Sequence, residues 1–97
     1  MSVYAIAHIR RIKDPAAFDA YRAAATEALA KHGGKVAQVM PQPTRLEGNL
    51  EIPHAVALLE FPSWEAARNW HADPELAEIH ALRTTGTDIS IFVAGEG

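Results

Sequence analysis

The sequence predicts an α+β fold. Six elements in the order βαββαβ close as a four-stranded antiparallel sheet, spatial order 4-1-3-2, with the helices on one face, the ferredoxin-like arrangement. Two observations lead there. First, the halves of the chain follow one plan, an apolar run feeding a capped helix, once from Val3 and again from Ala55. Asp14 aligns with Ser63 and Tyr21 with Trp70, both at an offset of 49 residues, so one strand-helix-strand unit is used twice. Second, the apolar runs lack the polar alternation of half-exposed strands, which marks them as covered on both faces.

The first strand runs from about Val3 to Arg10, with Val3, Ala5, Ala7 and Ile9 on one face and Tyr4, Ile6 and His8 on the other. Asp14 caps the first helix with Pro15 at its first position, where a missing amide proton costs nothing. Phe18, Tyr21, Ala25, Ala28, Leu29 and His32 recur at helical spacing as one buried stripe. Gly33-Gly34 closes the helix, and a second strand follows over Lys35 to Met40, confined to an edge by Pro41 and Pro43. Gln42 to Pro53 reads as a hairpin with a strand continuation near Arg45 to Leu46. The third strand contains Ala55-Val56-Ala57-Leu58-Leu59. Ser63 then caps a helix carrying Trp64, Ala67 and Trp70, and Asp73-Pro74-Glu75 opens a further helical segment with Leu76, Ile79, His80 and Arg83. Thr84 to Thr87 turns the chain into a last strand, Asp88 to Ala94.

At 97 residues the chain is one domain, residues 1–97, near the size at which a core alone struggles to stabilise a fold. Two helices cover one sheet face, yet strands one, three and four are apolar on the other. That leaves a patch too large for a monomer, so a homodimer is expected, its sheets packed face to face and burying about 800 Å² per partner. A net charge of -3 argues against nucleic-acid binding, because displacing counterions from phosphates needs a positive field. Arg10, Arg11 and Lys13 read instead as a solvated edge. With no cysteine there is no disulfide, thiolate metal site or cysteine nucleophile, and a cytoplasmic setting fits. The opening MSVYAIAHIRR reads as a strand rather than a targeting segment, and no apolar run approaches a membrane span.

Asp14-Pro15-x-x-Phe18-x-x-Tyr21, Leu46-Glu47-Gly48, Glu60-Phe61-Pro62-Ser63 leading to Ala66, Ala67 and Trp70, and Pro74-Glu75 before Leu82-Arg83 together resemble the bacterial family known as domain of unknown function 1330. The resemblance covers nearly the whole chain and implies membership of the dimeric alpha-beta barrel superfamily. That superfamily includes cofactor-independent monooxygenases, muconolactone isomerases and haem-degrading enzymes, and fold kinship of such breadth is analogy. His71 and Leu76 stand where the family commonly has tyrosine, so chemistry that needs those tyrosines is not expected here.

Three residues are candidates for catalysis. Parallel pairing of strands one and three, with Val3 beside Ala55, would bring His8 level with Glu60, and a carboxylate there would orient the imidazole as a general base or acid. The competing reading is a polar pair at a strand end or in the dimer interface. His80 and Arg83 share a helix face and can lean together toward the sheet, and Trp70 would supply an aromatic wall beside them. Tyr21 and Glu60 complete the expected ligand-binding set. His71 reads as a surface residue, and no histidine pair has the helical spacing of a metal site, so no metal and no cofactor is expected. His54 falls at the opposite end from His8 on that parallel register.

The leading expectation is a small organic molecule, aromatic or anionic, held between sheet and helices, with proton transfer or cofactor-independent oxygenation as the chemistry. His8 or His80 would be the base and Arg83 the group that holds an enolate or phenolate. The alternative is a non-catalytic dimerisation or ligand-sensing module. A third reading, a haem-binding monooxygenase, rests on the similarity of Trp70 and His80 to the tryptophan and proximal histidine of haem degraders.

Overall fold

In a computed structural model that describes residues 2–95, the chain forms β1 (Val3–Ile12), α1 (Pro15–Ala30), β2 (Lys35–Pro41), β3 (Ala55–Phe61), α2 (Trp64–Ala72), a 3-10 turn at Pro74–Leu76, α3 (Ala77–Gly86) and β4 (Thr87–Ala94). The four strands form one sheet in the order β2-β3-β1-β4, which is 4-1-3-2 read from the other edge. All three sequence-read caps are present: the Asp14 carboxylate accepts from the amides of Ala16 and Ala17, the Ser63 hydroxyl from that of Ala66, and the Asp73 carboxylate from that of Glu75. Gly33, at φ 75°, closes α1 in the left-handed conformation that glycine adopts without strain.

Every strand pair is antiparallel. The parallel pairing of β1 with β3 is therefore corrected. A βαβ crossover makes β2 run with β1, and the direct β2-β3 connection then reverses β3 against both. Tyr4, not His8, lies opposite Glu60, and His8 lies opposite Val56 and Ser90. His54, expected far from His8, sits at the same end of the sheet, its amide donating to the Ile9 carbonyl at 2.8 Å.

Two further boundaries differ. No strand forms between Gln42 and His54. The ladder ends at Pro41 opposite Ala55, Pro43 has no amide proton to offer, and the loop is drawn together by the Arg45 guanidinium donating to the Leu50 carbonyl at 2.7 Å. Thr84 to Gly86, read as a turn, continue α3, and β4 starts at once on Thr87, whose hydroxyl donates to the Arg83 carbonyl at 2.6 Å.

The core lies between the sheet and the helices: Val3, Ala5, Leu59 and Phe61 from the strands meet Ala28, Leu29, Ala67, Trp70 and Leu76. α3 packs on α1 because its last residue is glycine. A Cβ on Gly86 would come within 2.7 Å of the Phe18 amide nitrogen, and the Gly86 carbonyl accepts from the amides of Lys13 and Asp14. The bend between α2 and α3 is held to the end of α1 by Asp73. Its carboxylate takes Lys31 Nζ at 2.6 Å and His32 Nε2 at 2.8 Å while capping the 3-10 turn through the Glu75 amide. Those contacts, Lys31 first, hold the Asp73 carboxyl well below the usual carboxylate range. At the opposite end of the sheet Arg10 pairs with Glu51 and Asp88, so the basic cluster of β1 is tied down by carboxylates.

Candidate functional site

The broken second helix sets Arg83 on α3, against the rings of Trp70 and Tyr21. Gly86 brings α3 against α1, and one turn earlier Arg83 then points along the sheet with 4% of its surface exposed. Its guanidinium lies 5.1 Å from the centroid of the Trp70 ring and 5.6 Å from that of Tyr21. Such cation–π contacts offset part of the cost of burying the charge. No carboxylate does so: among the described residues, none of the ion pairs includes Arg83.

One partner is fixed by chemistry. Arg83 Nη1 lies 2.9 Å from His80 Nδ1, and His80 Nε2 lies 2.9 Å from the Trp70 carbonyl oxygen. A guanidinium only donates and a carbonyl only accepts, so the imidazole carries its proton on Nε2 and receives Arg83 on Nδ1. Burial pushes His80 below its ordinary value of 6.5, against the Trp70 hydrogen bond and with the help of the Arg83 charge. Neutral His80 thus aims the guanidinium, and both its ring nitrogens are in use. It has no lone pair to give a haem iron, so the residues present do not fit that cofactor as the sequence suggested.

Beside Arg83 is a cavity of about 390 Å³ between α2, α3 and the sheet. Phe61, Trp64 and Trp70 wall it with aromatic rings, Ala5 and Ala67 leave its floor open, and Arg68, His71 and Arg83 are its charged or titratable groups. The Trp70 indole Nε1–H is buried with no hydrogen-bond partner. A buried donor without a partner and a buried cation without a counter-charge each cost stability, and an acceptor or a negative charge brought into the cavity would offset that cost.

The structure thus brings together His80, Arg83 and Trp70 as the spacing suggested, and adds Tyr21 through its ring on Arg83. It does not bring His8 or Glu60 to them. Both belong to the face of the sheet away from the helices, where Glu60 pairs with Lys35 at 3.6 Å and His8 Nε2 is buried without a partner. Arg68 and His71 were missed by the sequence reading, and a signal was available. Trp64, Ala67, Arg68 and His71 follow the i, i+3, i+4, i+7 spacing of one helix face, and Arg68 stacks 5.7 Å above Trp64.

Strand order, an all-antiparallel sheet and helices on one face define a ferredoxin-like fold. The chain belongs to the family described as Domain of unknown function (DUF1330), whose model matches residues 2–96. Among solved structures it is similar to a protein of unknown function from Rhodopseudomonas palustris, with 21% identity over 96% of this chain and 80% of that one and a TM-score of 0.77. It is also similar to SnoaB, a cofactor-independent oxygenase from Streptomyces nogalater, at 12% identity, 99% and 91% coverage and a TM-score of 0.62. A dimeric protein of unknown function with a ferredoxin-like fold from Bacteroides fragilis matches at 13% identity, 96% and 94% coverage and a TM-score of 0.55. No curated protein matches the chain.

Proposed function

We propose that this protein is a homodimer that binds a small organic anion in the cavity between α2, α3 and the sheet, with Arg83 as the anion anchor. The observation that carries this reading is a guanidinium 4% exposed, with no carboxylate partner among the described residues, lining an aromatic cavity. Trp70 Nε1–H is a further buried donor without a partner among the described residues, and the rings of Trp64, Trp70 and Phe61 suit a planar ligand. Dimerisation is supported by the apolar face the helices leave uncovered and by the dimeric neighbour of the same fold. The lack of cysteine fits a cytoplasmic protein.

The likeness to a cofactor-independent oxygenase supports a catalytic version. In it Arg83 holds an enolate or phenolate formed by proton abstraction, and the base is His71. His80 is a positioning residue because Arg83 and the Trp70 carbonyl occupy its nitrogens, and His8 is on the far face of the sheet. A filled interior would have favoured a purely structural module, and the cavity argues against it.

Arg83→Met tests the anchor. Replacing a buried unpaired cation with an apolar chain of similar length should raise the melting temperature. The same change should weaken benzoate binding, followed by calorimetry, by at least about tenfold. An unchanged benzoate affinity, or a lowered melting temperature, would refute the role assigned to Arg83.

A further inference from the structure

Arg83 is the wall between two cavities. The second, about 300 Å³, lies on the Tyr21 side, between α1, the sheet and the edge strand β2. It shares Arg83, Ile89 and Ile91 with the first. Its other lining is almost entirely apolar: Ala7 and Ile9 of β1, Ala57 and Leu59 of β3, Ala25 and Leu29 of α1, and the edge residues Val36 and Val39. Its remaining charged group is Arg22. Neither cavity has a carboxylate in its lining although the chain carries 12 acidic residues against 9 basic ones, so both select against cations.

The hollow follows from side-chain size. Ala7 and Ala57 face each other across the β1-β3 pair and leave the floor low. α1 and the edge strand both line the hollow, and Val39 keeps 59% of its surface exposed beside it. A mostly apolar groove that ends on a buried cation suits an unbranched hydrocarbon chain bearing an acid.

We infer that the ligand is a medium-chain carboxylic acid, its carboxylate held by Arg83 and its aliphatic tail lying in the second cavity between α1 and β2. The inference rests on the anion-anchor reading of Arg83 and adds the ligand class. A volume of 300 Å³ holds roughly ten groups the size of a water molecule, so the tail extends to about ten carbons.

The test is a calorimetric series of hexanoate, octanoate, decanoate and dodecanoate, kept below micelle formation, with benzoate as the compact acid and decanol as the neutral chain. Affinity should rise about fourfold per methylene and level off near decanoate, and decanol should bind at least tenfold more weakly than decanoate. Ala25→Phe, which fills the channel from α1, should abolish the rise while leaving benzoate binding unchanged. Ala57→Val, which adds two methyl groups to the strand floor, should bring the plateau to a shorter chain and guards against a folding defect in the first variant. A flat series with benzoate still bound would overturn the tail site and leave the anchor standing. Failure of every acid, benzoate included, would overturn both. A slope unchanged in both variants would also overturn it, because the tail would then lie elsewhere.

Discussion

The two faces of the sheet are filled differently. On the covered face β1 and β3 present Ala5, Ala7, Ala55 and Ala57 beside Val3, Ile9, Leu59 and Phe61, and the small residues leave space beneath the helices. On the open face Leu58, Ile6 and Phe92 form one cross-strand row and Val56, His8 and Ser90 the next. There Phe92 remains 61% exposed and Tyr4 and Ile6 are also exposed. The face that already has a cover is under-filled, and the face without one is over-supplied with apolar bulk. The first condition accommodates a ligand, and the second a further protein layer.

The sharpest way to break that contrast uses neighbouring residues. A buried carboxylate without a partner costs about 3–5 kcal/mol, a large part of the stability of a domain this size. Ala5→Asp should therefore leave no cooperative thermal transition. Ile6→Asp, one residue along and on the other face, should fold normally yet elute as a monomer by light scattering. A folded Ala5→Asp chain, or an Ile6→Asp dimer, would erase the distinction.

A smaller effect is expected where the helical cover is attached. Gly86→Ala places a methyl group against the backbone of α1 and should cost about 2–3 kcal/mol by denaturant unfolding, with benzoate affinity falling as α3 lifts and carries Arg83 away.

The smallest effect is the pH response of the cover. Folding holds His80 below its ordinary value of 6.5, so as the pH falls below 6.5 the unfolded chain takes up a proton that the folded chain refuses. Stability should then decline with acidification until the folded imidazole itself titrates. His80→Gln should decline less over the same interval when melting is followed against pH. Equal slopes in the two proteins would mean that burial does not hold His80 neutral.

Much of this was legible beforehand. Asp14 and Ser63 announced both helix starts because capping is local chemistry between residues two or three apart, and His80 with Arg83 was readable as an i, i+3 pair. The His8–Glu60 pairing was not. A one-residue alternation shows that two strands have faces, whereas the direction in which they run against each other depends on the connections between them. In the arm from Gln42 to Pro53 the strand continuation expected near Arg45 to Leu46 does not form, because turn residues mark where a ladder stops and do not say whether another begins.

The sequence by itself determined the βαββαβ order, the caps, the edge position of β2 and the surplus of apolar residues on both strand faces, since these follow from periodicity and local backbone preference. Tertiary structure alone decided that Arg83 is buried without a counter-charge, that His80 is its acceptor, that Trp70 and Tyr21 flank it, and that alanines on adjacent strands open a cavity on either side. Those properties belong to distances between residues far apart in the chain, set when Gly86 lets α3 settle on α1. Packing at such a crossing is decided by volume and shape, which residue spacing along one helix does not encode.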